Sequence, residues 1–157
     1  SRTDGQSVVG RRTFAALGLP LALGALVWAD LAWRAYTALN EGEKYLAWHG
    51  KPKLQIDHWD AWLKAEETRL DTEAASGRIS ARERAWRGAT AKAERDERVA
   101  ESPLKYAVRW FETAAELFSP PPSPWSRRAR ERLEVARSLW SRELAASGLK
   151  LEDYSYR

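Results

Sequence analysis

The chain has two histidines, and the run Asp57-His58-Trp59-Asp60 is its densest gathering of potential metal ligands. A metal centre needs three or four convergent donors. Neighbouring residues of one helix point in different directions. The run therefore reads as Asp57 capping a helix, with His58 exposed just inside it. There is no Cys, which excludes thiolate zinc sites, thiol nucleophiles and disulfides and leaves the redox compartment open. No glycine-rich phosphate loop, nucleophile elbow or HExxH motif is present. The many Glu residues show no spacing that would make an acid–base dyad. No catalytic, cofactor-binding or metal-binding residue is assigned, and the chain is not expected to be an enzyme.

Cationic side chains are the next candidates. The net charge is +4 and the pI about 9.5, compatible with nucleic acid, an anionic lipid surface or an acidic protein partner. Arg127, Arg128, Arg130 and Arg132 follow Trp125 and could grip phosphates. Glu131, Glu134 and Glu143 are interspersed, so a solvated or ion-paired face is preferred and nucleic acid is not expected as a partner. Basic residues beside Trp also suit an anionic lipid such as cardiolipin. No other cofactor is expected.

Nine Trp in 157 residues is a high count. Trp28 and Trp33, with Trp48 as a weaker candidate, suit a membrane interface. The others are spread over short amphipathic stretches. Trp59, Trp62, Trp110, Phe111, Trp125 and Trp140 are candidate contacts to partner proteins, since aromatic anchors supply much of the energy of interfaces. The alternative is that all of the Trp meet in one small helical core.

The elements that must position these residues are helical. Ala, Arg, Glu and Leu dominate, all good helix formers. Residues 1–12 are polar and read as a flexible lead-in. Arg11 and Arg12 then precede 17 uncharged residues, Thr13–Ala29, just enough to cross a hydrocarbon core of about 30 Å. Asp30 and Arg34 are spaced to pair on a helix, which carries the expected transmembrane helix to 13–39. Arg11, Arg12, Trp28, Trp33, Arg34 and Tyr36 are its candidate interface anchors. Gly42, Gly50 and Pro52 mark 40–56 as a turn or extended linker.

Extramembrane helices are expected over 57–118. The first starts at Asp57 and ends at Gly77, with a strip of Trp59, Trp62, Leu63, Glu66 and Leu70. Ser80 and Glu83 form a capping-box pattern for a charged second helix with Trp86 as its one large apolar residue. Ser102 and Pro103 open a third, with Leu104, Val108, Phe111, Ala115 and Phe118 on one stripe. Residues 119–124, SPPPSP, form a polyproline-like spacer. Residues 125–157 hold a last helix and a tail, with Trp125, Ala129, Leu133, Ala136, Trp140 and Leu144 inward and Gly148 past the helix end. The fold class expected is all-α, one transmembrane helix followed by several extramembrane helices, extended rather than compact.

Two other readings of the apolar run stand beside this one. It could be the buried core helix of a soluble domain, although the remaining sequence is too polar to wrap it. GRRTFAALG also resembles a twin-arginine export leader, without the usual Ser or Thr before the arginines and without a small-x-small cleavage site after the run. With no Met at position 1, Ser1 reads as a processed or chosen start.

In architecture the chain resembles the supernumerary single-pass subunits of mitochondrial ATP synthase and respiratory complexes. Such subunits often lose a targeting leader, cross the inner membrane once and extend along larger subunits. No residue is carried over, because the likeness lies in the arrangement and not in a motif. It implies a non-catalytic accessory role in an oxidative-phosphorylation complex of the mitochondrial inner membrane. Other subunits and membrane lipids would be the partners, and the N-terminus would face the matrix, as Arg2, Arg11 and Arg12 also suggest. The alternative is a bacterial inner-membrane adaptor or assembly factor with a basic helical soluble part.

Overall fold

The computed structural model describes the backbone of residues 5–118 and 122–149 and the side chains of residues 21–118 and 122–149. Five α-helices follow in order: α1 (Gly5–Gly50), α2 (Pro52–Ala75), α3 (Ala81–Ala100), α4 (Pro103–Glu112) and α5 (Pro124–Ala146). A π-helical turn, Thr113–Leu117, continues α4. No strand occurs among the described residues, as the composition leads one to expect.

α1 is one rod of 46 residues, and it replaces three separate expectations. The flexible lead-in is already helical from Gly5; residues 1–4 lie outside the described residues. The linker expected over 40–56 is also helix, except at Lys51. Pro52 drives the residue before it out of the α region, and Lys51 has φ −141° and ψ 80°. Pro52 then serves as the first residue of α2, where its missing N–H costs nothing.

Among the described residues no helix is long and apolar enough to cross a membrane. The transmembrane helix expected over 13–39 is therefore not supported, and the side chains of its residues 13–20 lie outside the described ones. Its far end is corrected outright. Ala35, Ala38 and Leu39 are buried in protein, so the part of α1 beyond about Arg34 belongs to a helical bundle. The Asp30–Arg34 pair does form, at 2.8 Å.

That bundle consists of the C-terminal half of α1, α4 with its π turn, and α5. Gly42 faces Phe111 and Tyr45 stacks on Tyr106, so α4 runs antiparallel to α1. Trp125 meets Tyr36, Arg132 meets Glu43, and His49 faces Glu143, so α5 runs parallel to α1. The core holds Ala38, Leu39, Ala107, Val108, Phe111, Ala114, Ala115, Ala129, Leu133 and Ala136. The expectation of helices extended rather than compact is thereby corrected for α1, α4 and α5: thin apolar stripes suffice when they are mostly Ala, because small side chains let helix axes approach closely.

Serine caps start three helices. Ser80 Oγ accepts from Glu83 N at 3.1 Å, while the Glu83 carboxylate turns to Arg87. Ser102 Oγ accepts from Leu104 N, and Ser123 and Ser126 form a reciprocal capping box that is fully buried. Gly77 and Gly148, with φ of 71° and 73°, end α2 and α5 in the left-handed conformation that glycine adopts without strain. Residues 119–121 of the spacer and 150–157 of the tail lie outside the described residues.

α2 and α3 form a hairpin beside the bundle, with Leu70, Ile79 and Ala91 buried. Asp71–Arg84 and Asp60–Arg95 pairs cross it. The buried Gln55 amide donates to the carbonyls of Arg98 and Glu101 at 2.8 and 3.1 Å, satisfying the open C-terminal end of α3.

Candidate functional site

The residues with chemical potential are absorbed into packing and ion pairs. Asp57 accepts from Lys53 Nζ at 2.7 and 2.6 Å, and Asp60 pairs with Arg95. His58 packs between the rings of Trp48 and Trp59, at 5.0 and 5.2 Å. The cap assigned to Asp57 is corrected, because α2 begins five residues earlier, at Pro52 after Lys51. His49 Nδ1 stands 3.9 Å from Glu143 on another helix. No group of three or more acidic or imidazole side chains that could hold a metal occurs among the described residues.

The aromatic residues sort by place. Tyr106, Tyr45, Trp48, His58, Trp59 and Trp62 form one continuous row from α4 across α1 to α2, with centroid spacings of 4.8 to 5.7 Å. The row seats the hairpin on the bundle, and Arg98 lies over Trp59 at 5.6 Å. Trp59 and Trp62 are thus half-buried inside this chain. Phe111 is fully buried beneath Gly42, so the proposal of Phe111 as a partner contact is corrected. Trp110 and Trp140 are packed against the same core and partly buried. Trp125 keeps 38% of its surface exposed while resting on Tyr36.

At the junction of α3 and α4, the Tyr106 hydroxyl donates to Glu101 and accepts from Arg98. The bond from Tyr106 holds the Glu101 carboxyl below the usual carboxylate range, against a smaller opposing effect of burial. Burial, and then that same bond, pushes the Tyr106 hydroxyl up. The cleft beside them, between Glu94, Glu97 and Arg98, carries both signs of charge.

Four arginines of α5 are engaged within the chain. Arg132 and Arg128 both reach Glu43, at 2.7 and 3.8 Å, Arg137 reaches Glu112 at 2.8 Å, and Arg130 donates to the Ala115 carbonyl of the π turn.

The exposed surface is concentrated elsewhere. Every residue from Leu21 to Asp30 is exposed, with Leu21 at 74%, Leu26 at 66% and Val27 at 58%. Trp28 and Trp33 continue this stem, and Arg34 and Tyr36 mark where it enters the bundle. Of the interface anchors read from the sequence, these four stand together; the side chains of Arg11 and Arg12 lie outside the described ones. Among the exposed apolar residues not singled out from the sequence as contacts, the most exposed outside the stem are Leu117 on the π turn and Trp86 on the outer face of the hairpin. Trp86 carried a signal, being a lone large ring on an otherwise charged helix. The chain matches no known protein-family model, and no curated protein or solved structure is detectably similar to it.

Proposed function

We propose that this chain is a non-catalytic, structural subunit of a membrane assembly, held in lipid by the apolar run Thr13–Ala29 of α1. The bundle and hairpin stand outside the bilayer, where neighbouring subunits grip them. The observation that carries this reading is the stem Leu21–Asp30, exposed on all sides and about 15 Å long. A helix that is apolar all round belongs in a protein core or in lipid. With more than half of each residue exposed, leaving Leu21, Leu23, Leu26 and Val27 in water forfeits roughly 1–2 kcal/mol each, about 4–8 kcal/mol together. That sum rivals the whole stability of an ordinary domain. Nothing in the described chain folds back to cover them, and in sequence the uncharged run reaches back to Thr13. Trp28, Trp33 and Tyr36 at the root of the stem are the residue types that favour a headgroup boundary. The kind of assembly, a mitochondrial inner-membrane complex of oxidative phosphorylation, rests on architectural resemblance alone.

Alkaline carbonate extraction of membranes carrying the full chain is the direct test. The chain should stay with the membrane pellet. Leu23→Arg should cost about 2.5–3.5 kcal/mol of insertion free energy and shift the chain towards the soluble fraction. Complete release of the unaltered chain by carbonate would sink the reading.

A further inference from the structure

The end of the bundle from which the stem emerges is built differently from the rest of its surface. Because α4 runs down and α5 runs up beside α1, the π turn and the first turn of α5 meet at the level of Tyr36. Trp33, Tyr36 and Trp125 touch in sequence there, at centroid distances of 5.6 and 5.0 Å. Leu117, 71% exposed, adds an aliphatic side chain at the same level.

Charge is arranged around these rings. The first turn of α5 contains no acid and is followed at once by Arg127 and Arg128, both exposed. Cations at the positive end of a helix dipole are disfavoured unless an anion lies beyond them. The acids nearby meet that need only in part. Asp30 is held by Arg34, and Glu43 is shared between Arg128 and Arg132, closer to Arg132. Glu116 on the π turn and Glu131 one turn further along α5 are exposed to solvent.

We propose that this end of the bundle docks on an anionic bilayer surface, with Trp33, Trp125 and Leu117 at the acyl boundary and Arg127 and Arg128 on lipid phosphates. This deepens the anchoring reading and rests on it. The stem fixes which end of the bundle faces the bilayer, and the rings, the exposed Arg127 and Arg128, which shares Glu43 with Arg132, lie at that end. Nucleic acid is the poorer occupant, since phosphates of a duplex would meet the arginines but leave the stem and the rings in water.

The test is flotation of the full chain, diluted from mild detergent, with limiting amounts of two vesicles: phosphatidylcholine alone, and phosphatidylcholine with one quarter cardiolipin. Each arginine near an anionic surface is worth about a fivefold gain. Half-maximal flotation should therefore need about 25-fold less of the anionic lipid. Arg127→Gln with Arg128→Gln should abolish that difference and leave flotation on neutral vesicles unchanged, and high salt should do the same to the unaltered chain. Equal half-points on the two vesicles, an anionic preference untouched by both the double variant and salt, or transfer from vesicles to added duplex DNA overturns the inference while leaving the anchor intact. Failure to float with either vesicle overturns the anchoring reading and this inference with it.

Discussion

Gly42→Ala gives the sharpest test of the bundle, because two principles predict opposite signs for it. Gly42 lies well inside α1, where alanine is favoured over glycine by about 1 kcal/mol. On an isolated helix the substitution would stabilise. In the folded chain a Cβ at this position would stand 2.5 Å from Phe111 Cε1, 2.6 Å from Cδ1 and 3.0 Å from Cζ. These are distances that real carbon atoms do not adopt, so the ring or a helix must move. Phe111 is fully buried and ringed by Leu39, Ala107, Ala114 and the stripe of α5, with no exposed side towards which it could swing. Overpacking of this kind costs typically 1–3 kcal/mol. Set against the propensity gain, the net expectation is a loss of up to about 2 kcal/mol, or a fall in melting temperature of up to about 8 °C for a chain of this size. Thermal and urea denaturation followed by circular dichroism measure it. Phe111→Leu should relieve the clash, so the double variant should be less destabilised than the sum of the two single ones. Gly88→Ala serves as the contrast, since its Cβ would meet only the far end of the long Arg84 side chain, at 3.2 Å, and should stabilise α3. A stabilised Gly42→Ala chain would refute the close approach of α1 to α4, and with it the placement of the bundle core.

Two further expectations concern the junctions. Ser123→Ala leaves the buried Ser126 N–H without its acceptor at 3.1 Å and should cost about 1–2 kcal/mol, read from the same denaturation curves; a change below about 0.5 kcal/mol would count against the capping box. Glu101 has its folded-state pKa lowered, first by the Tyr106 hydroxyl, so it contributes stability that is present above the ordinary glutamate pKa of about 4.3 and lost as the pH falls through the lower folded value. Urea midpoints measured down through that acid range should fall for the unaltered chain and fall less for Glu101→Gln; parallel curves would show that the Tyr106–Glu101 bond does not contribute.

The sequence by itself determined what depends on neighbours within a turn or two of helix. Leu104, Val108, Phe111 and Ala115 recur at helical spacing, and this stripe is the buried face of α4 and its π turn. Leu133, Ala136 and Leu144 do the same for α5. Ser80, Ser102 and Ser123 sit where helix starts need a hydroxyl acceptor, and Gly77 and Gly148 where helix ends need a positive φ. These signals are local because the hydrogen bonds behind them span three or four residues.

Tertiary structure alone decided the rest. Gly42 reads locally as a helix breaker, yet its missing Cβ makes room for a ring 69 positions later, and packing against Phe111 keeps α1 whole through Gly50. Gln55 gives no sequence signal, because the carbonyls it satisfies belong to Arg98 and Glu101, more than forty residues away. Phe111 looks like an anchor for a partner until the fold supplies its cover, whereas Leu21 to Trp28 remain uncovered. A side chain's type and spacing fix what it needs, water excluded or a polar atom satisfied; which distant segment meets the need depends on how the helices stack.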